Sequence, residues 1–79
     1  MLEEIILKYP DISFLKADGF DDAIIGVDIN TNRLIYSFVK TIHILMNDME
    51  YEEALEHFYY NILGSYVGEN TPIWLDDDL

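Results

Sequence analysis

The sequence predicts one small α+β domain, in which helices pack on one face of a small antiparallel sheet of about three strands. Two observations lead to this class. Three segments carry apolar residues at helical spacing, and three shorter segments are rich in β-branched residues and bounded by turn residues. The predicted order along residues 1–79 is α-β-β-α-α-β. Packing the helices on one face of the sheet is the simplest way to bury all of these apolar residues.

Packing alone is expected to hold this domain together. The chain has 79 residues and no cysteine, so neither disulfides nor a cysteine-ligated zinc can supplement a single small core. About half of the residues (51%) are apolar, and six Tyr, four Phe and one Trp each have a large area to bury. This composition is typical of a folded chain and not of a disordered one.

The first half of the chain predicts a short helix and a β-hairpin. Apolar residues at helical spacing predict the helix over residues 2–9, which Pro10 ends. A strand follows the Asp18-Gly19 turn signal, and turn residues 30–32 connect it to a second strand over residues 33–36. The predicted apolar face of the first strand consists of Ala23, Ile25, Val27 and Ile29.

The second half predicts two helices, a closing strand and a short acidic tail, residues 76–79. Ser37 is expected to cap a helix over residues 38–47. Its predicted core-facing residues are Phe38, Val39, Ile42, Leu45 and Met46, with Ile44 outside this stripe. A longer helix is expected over residues 51–63, with a buried face of Tyr51, Ala54, Leu55, Phe58, Tyr59 and Ile62. The segment TPIWL then predicts a strand that its proline confines to a sheet edge.

Negative charge is concentrated in the second half of the chain. Sixteen acidic and four basic residues give a net charge of −12. Residues 1–40 hold four cations and seven acids, a net of −3, whereas residues 41–79 hold nine acids and neither Lys nor Arg. A field of this sign repels nucleic acids and anionic membranes, so the expected partner is a protein with a basic surface. No signal peptide and no run of about 18 apolar residues is recognisable, which predicts a soluble, cytoplasmic protein.

The four aspartates of ADGFDDAIIGVDI raise the question of a metal site. Asp18, Asp21 and Asp22 cluster, but a calcium loop needs acids at alternate positions, a central glycine and a glutamate at position 12. Here the glycine comes second, and position 12 is Ile29. We therefore interpret the aspartates as the polar lead-in to a buried strand, with side chains that bond nearby backbone N–H groups. Convergence of oxygen ligands for magnesium in the fold is the alternative.

No motif predicts catalysis, a cofactor or a metal. His57 follows Glu53 by four residues and would share its helix face, but no H-E-x-x-H pattern is present, and His43 lies on another helix. No serine has the sequence context of a catalytic nucleophile, and GSYVG lacks the lysine of a phosphate-binding loop. A metal-dependent enzyme that uses Asp21, Asp22 and His57 is kept as the third alternative.

The candidate functional residues form an acidic surface in the second half of the chain. Three glutamates are expected to line the outer face of the last helix, beside a histidine and a tyrosine. Spaced carboxylates of this kind can imitate a phosphate backbone and occupy a cationic nucleic-acid channel of another protein. A solvated helix face with a solubilising tail produces the same pattern, so both interpretations stay open here. The candidate partner-binding residues are Glu52, Glu53, Glu56, His57, Tyr60, Glu69, Asp76, Asp77 and Asp78.

Two segments, DGFDDAIIG and GSYVGENTPIW, resemble a group of small uncharacterised acidic proteins encoded in bacteriophage genomes. The similarity extends over roughly residues 8–75 and includes a YEEA-like helix start. The resemblance implies an accessory protein that acts in the cytoplasm of an infected bacterium. It brings no catalytic residue with it.

Charge and resemblance together lead to the functional hypothesis. The protein is expected to bind and inhibit a host complex that handles nucleic acid or serves in defence, such as a CRISPR complex, a nuclease or a polymerase. The alternative is a structural or homo-oligomeric protein whose apolar edge strand, residues 73–75, pairs with a second copy.

Overall fold

A computed structural model of the chain describes residues 1–65 and 68–79. Its elements follow the predicted order, so the α+β class is confirmed. The helices and strands are α1 (Leu2–Lys8), β1 (Ile24–Asp28), β2 (Arg33–Ser37), α2 (Phe38–Leu45), α3 (Tyr51–His57) and β3 (Ile73–Leu75). A 3₁₀ turn, Asp21–Ala23, leads into β1, and α3 continues as a π-helical segment, Phe58–Ile62.

The three strands form a mixed sheet in the order β1-β2-β3, whereas the sequence predicted an antiparallel one. β1 and β2 pair antiparallel, but β3 runs parallel to β2, with Ile73 beside Ile35 and Trp74 beside Tyr36. The connection explains the difference, because α2, α3 and the π-helical segment together form the crossover that parallel neighbours require. The prediction that β3 is an edge strand is confirmed.

A β-bulge in β1 changes which residues face the core. Ile24 and Gly26 lie opposite consecutive residues of β2, so Ile25 is the extra residue of the strand. The predicted alternation is therefore wrong in part: Ile24 is buried, and Ile25 is only half-buried. Ile29, predicted on the same apolar face, lies in the hairpin turn with 80% of its surface exposed.

Ser37 caps α2 as predicted. The backbone N–H of Lys40 donates a hydrogen bond to the Ser37 hydroxyl at 3.1 Å. The helix ends at Leu45, so Met46 lies in the following turn and is 42% exposed, not buried. Ile44, placed outside the buried stripe by the sequence, packs against the core of the sheet, because α2 is covered by the sheet as well as by α3.

The predicted helix over residues 51–63 is present, but its second half widens into a π-helix. The Leu63 N–H donates to the Phe58 carbonyl, five residues earlier, at 2.8 Å. Its buried residues are Ala54, Phe58 and Ile62. Tyr51 and Tyr59, which the sequence placed on the buried face, are 49% and 53% exposed. Only one narrow stripe of this segment is covered, by α2 and Trp74.

The core consists of two clusters on one face of the sheet. The first packs α1 against β1 and β2, and the second packs α2 against α3 and the π-helical segment. Trp74 contacts both clusters, with its ring centroid 4.9 Å from that of Tyr36 and 5.3 Å from that of Phe58. The short strand β3 therefore joins the two halves of the core. None of the helices in the described residues has the length and apolar character needed to cross a lipid bilayer.

Candidate partner-binding surface

The outer face of α3 carries the predicted acidic residues. Glu52, Glu53 and Glu56, which we call the acidic ridge, are all exposed on the side away from the core. Glu52 and Glu53 occupy the first turn of the helix, where the helix dipole favours negative charge. Glu50 at the N-cap makes no side-chain capping hydrogen bond, so these two acids support the start of the helix electrostatically. The acidic ridge thus follows from local sequence.

Part of the acidic ridge borders a shallow, open depression of about 290 Å³. Its lining consists of Met49, Glu53, Glu56, His57, Tyr60 and Asn61. The structure thus brings together four of the predicted residues, while Glu52 lies outside the lining. The Nδ1 atom of His57 lies 3.2 Å from the amide nitrogen of Asn61, which orients the imidazole ring. Met49 and Asn61 were not predicted, because neither carries charge and Met49 precedes the helix.

No ion pair neutralises the acidic ridge within the described residues. The ion pairs found there join Lys16 to Asp21 at 3.6 Å and the terminal amine to Glu4 at 3.8 Å. Arg33 instead donates hydrogen bonds to the Thr31 hydroxyl and the Thr71 carbonyl. The carboxylates of α3 therefore face solvent without a paired cation. Long-range attraction of a basic partner requires such unpaired negative charge.

Tyr59 and Tyr60 leave the π-helical segment on different sides. Tyr60 is 84% exposed and lines the depression beside Glu53 and Glu56. Tyr59 contacts Phe38 and borders a separate groove. The two consecutive tyrosines thus line two different depressions on the surface of the molecule.

Glu69 lines a different depression from the one beside the acidic ridge, together with Thr31, Arg33, Gly68 and Asn70. Arg33 is a cation, so this part of the surface is partly compensated. The partner-binding role of Glu69 stays a prediction.

The acidic tail is bound to the fold through Asp77. The Asp77 carboxylate accepts hydrogen bonds from the Ser37 hydroxyl at 2.5 Å and from the Val39 N–H at 2.9 Å. The bond from Ser37, and then that from Val39, hold the pKa of Asp77 below its ordinary value of 3.8. The Asp78 N–H donates to Asp76 Oδ1 at 3.0 Å, a local bond within the tail. Asp77 thus also acts as a helix cap, and its partner-binding role stays a prediction.

An apolar groove that the sequence did not predict lies beside this tail. It has a volume of about 170 Å³. Its lining consists of Phe38, Phe58, Tyr59, Leu63, Trp74 and Asp76. Tyr59 and Leu63 remain 53% and 42% exposed along it. The groove joins residues from α2, the π-helical segment and β3, so only the tertiary fold creates it.

Three of the aspartates of ADGFDDAIIGVDI precede β1, as the lead-in interpretation predicts, and the fourth, Asp28, is the last residue of that strand. Asp21 and Asp22 belong to the 3₁₀ turn before β1, and Asp28 accepts hydrogen bonds from the Asn30 N–H and the Thr31 hydroxyl. These two bonds, the one from Thr31 first, lower the pKa of Asp28. Within the described residues, no three or more His, Cys, Asp or Glu side chains are grouped to hold a metal ion. The GSYVG run includes residues 66 and 67, which lie outside the described part of the chain.

Comparison with family models, with curated proteins and with solved structures yields no match to this chain.

Proposed function

We propose that this protein is a phage-type accessory protein that binds a basic surface on a host nucleic-acid-handling or defence complex and inhibits that complex. One observation carries the proposal. The three carboxylates of the acidic ridge are exposed together on one helix, and no ion pair within the described residues neutralises them. The three carboxylates are part of a net charge of −12, and the rest of that charge adds to the same field.

Two ranges of interaction contribute to binding. At long range the negative field raises the rate of association with a Lys/Arg-lined surface. At short range the depression offers Tyr60, whose exposed ring can contact a Lys or Arg side chain between Glu53 and Glu56. A cation over an exposed aromatic ring contributes about 0.5–1 kcal/mol. The contact therefore selects cationic side chains over neutral ones.

The partner is inhibited because this protein occupies the surface that the partner uses to bind nucleic acid. A Lys/Arg-lined channel that holds nucleic-acid phosphates also attracts the carboxylates of the acidic ridge, so nucleic acid and this protein compete for it. The phage setting rests on the resemblance of DGFDDAIIG and GSYVGENTPIW to proteins encoded in bacteriophage genomes. Competition is the property by which the proposal is tested.

The test uses the triple variant E52Q/E53Q/E56Q, which removes three charges and keeps the side-chain shape. Immobilised wild-type protein is expected to capture a basic partner from bacterial lysate, and added DNA is expected to release that partner. The triple variant is expected to lower the captured amount at least about tenfold, because each lost charge weakens steering and contact alike. The activity of the captured complex on nucleic acid is then measured with and without added protein, and it is expected to fall.

A matched control removes the same number of charges elsewhere. E3Q/D11N/D18N changes three exposed acids that do not line the depression, and it is expected to keep most of the capture. Circular dichroism of both variants checks that the fold is intact. Capture that survives the triple substitution and about 0.5 M salt, where the Debye length is only about 4–5 Å, contradicts the proposal. Undiminished activity of the captured complex contradicts inhibition.

The position of β3 favours a second candidate, a homo-oligomer formed through the sheet edge. β3 is at one edge of the sheet, and Leu75 within it is 46% exposed. An unpaired edge can add a strand from another chain. Sedimentation equilibrium separates the candidates: a stable dimer that L75K dissociates supports this one, and a monomer at high concentration refutes it.

A further inference from the structure

The apolar groove and the Asp76 carboxylate form a second contact site, distinct from the depression on α3. Along the groove the rings of Phe38, Phe58 and Trp74 provide the floor, and their contacts fix its shape. The centroid of Phe58 lies 5.1 Å from that of Phe38 and 5.3 Å from that of Trp74. Tyr59 and Leu63 are about half exposed at its edge. This is a preformed apolar concavity and not a loose surface patch.

Among the residues that the structure describes, Asp76 is the only charged one in the lining of this groove, and its charge is negative. Asp76 stands at the groove, its Oδ1 atom held by the Asp78 N–H, and the adjacent Asp77 is held by Ser37 and Val39. Because Asp77 is bonded to Ser37 and Val39, the backbone next to Asp76 is fixed to the fold, and the Asp76 carboxylate lies beside the apolar lining. A fixed carboxylate next to an apolar concavity complements an apolar side chain with a cation beside it.

We infer that this groove binds a short peptide segment of the partner in which Leu or another large aliphatic side chain is flanked by Lys or Arg. The aliphatic side chain fills the 170 Å³ groove, and the neighbouring cation pairs with Asp76. The inference rests on the proposed function in one respect, the basic character of the partner. It adds a second requirement for the partner, a large aliphatic side chain that enters the groove. Binding through charge alone would not require such a side chain.

A second copy of this chain is a poorer occupant. Each copy carries a net charge of −12 and four basic residues, so two copies repel one another at low salt. A basic segment of another protein is attracted by the same field. Charge thus selects the class of occupant, and the apolar lining selects the side chain that enters.

Trp74 makes the occupancy of the groove measurable. It is the one tryptophan of the chain and lines the groove. Its Nε1 atom is buried and has no hydrogen-bond partner among the described residues. The single indole N–H signal in a ¹H–¹⁵N NMR spectrum therefore reports on this site. The probes are three acetylated peptides, KKLLKK, KKAAKK and EELLEE, each added to the ¹⁵N-labelled full chain.

The expected result is a saturable shift of the Trp74 signal with KKLLKK and none with KKAAKK or EELLEE. L63A shortens an exposed side chain of the groove and is expected to weaken KKLLKK binding about fivefold to tenfold. L7A is the matched control, because Leu7 is an 81% exposed leucine that does not line the groove. D76N is expected to weaken binding about twofold to threefold, and its matched control D78N is expected to have a smaller effect.

Four outcomes of the peptide experiments overturn the inference. They are no saturable shift with KKLLKK, an equal shift with KKAAKK, equal binding of EELLEE, and equal effects of L63A and L7A. A Trp74 shift that grows with protein concentration in the absence of peptide assigns the groove to a second copy, which also overturns it. The variant E52Q/E53Q/E56Q separates the two proposals. If it loses lysate capture but keeps the Trp74 shift with KKLLKK, the groove is supported. If wild-type protein captures a partner through the acidic ridge but shows no Trp74 shift with KKLLKK, the groove alone is refuted.

Discussion

Ser37 and Asp77 lie forty residues apart in the chain and share a hydrogen bond of 2.5 Å. The Ser37 hydroxyl also accepts from the Lys40 N–H, and Asp77 accepts from the Val39 N–H. Together the two side chains satisfy two of the four backbone donors that the first turn of a helix leaves unpaired. This arrangement ties the acidic tail to the start of α2 and thereby holds β3 beside β2.

Replacement of Ser37 is expected to destabilise the fold. S37A removes the cap from α2 and one hydrogen bond from Asp77, and N-cap substitutions of this kind cost about 0.5–2 kcal/mol. Urea denaturation followed by circular dichroism measures the change in the free energy of unfolding. S65A serves as the control, because Ser65 is an exposed serine whose hydroxyl donates to the Ile62 carbonyl and does not cap a helix N-terminus. Equal stabilities of S37A and S65A would show that the cap is unimportant.

The contribution of Asp77 to stability is expected to depend on pH. Its pKa in the folded protein is lowered by Ser37 and Val39, so folding favours the ionised form. This contribution is complete above the ordinary value of 3.8 and is lost as the pH falls through the lower folded pKa. The difference in unfolding free energy between wild type and D77N is the quantity to measure, because the other acids titrate in both proteins. A difference that stays constant down to and below the folded pKa of Asp77 would refute the assignment.

Trp74 is expected to be the most sensitive residue of β3. Its ring contacts both core clusters, so W74A removes packing from each of them. Burial losses of this size cost about 3–5 kcal/mol, a large share of the 5–15 kcal/mol typical of a domain. The measurement is urea denaturation, and complete unfolding of W74A agrees with the expectation.

Y60A changes an 84% exposed ring and should alter stability by less than about 0.5 kcal/mol while lowering partner capture.

Salt is expected to stabilise the protein. Like charges repel one another across a chain with a net charge of −12, and the ion pairs of the described residues are few. The Debye length falls from about 30 Å at 0.01 M salt to about 8 Å at 0.15 M, so the repulsion weakens and the melting temperature Tm should rise. Thermal denaturation at the two sodium chloride concentrations measures this effect. E52Q/E53Q/E56Q should show a smaller rise, and a Tm that falls with salt would mean that attractive ion pairs dominate.

The local features of this protein could be predicted from its sequence. Ser37 lies before an apolar helical stripe, and its hydroxyl caps the N–H of Lys40 three residues later. Glu53, Glu56, His57 and Tyr60 share one side of the last helix for a similar reason, because helical spacing alone sets which residues are neighbours. The element order and the acidic ridge therefore followed from contacts between residues close together in the chain.

The remaining features depend on contacts between distant residues. The tail could not be recognised as a cap, because the bond between Asp77 and Ser37 exists only once β3 has paired with β2. The bulge at Ile25 and the groove beside Trp74 likewise require the sheet and the π-helical segment to be in place. By itself the sequence determined the class of fold, the helix starts and the distribution of charge, since these arise from short-range spacing and composition. Only the tertiary structure decided the parallel pairing of β3, the role of Asp77 and the second contact site, because each joins residues that are separated by many positions in the chain.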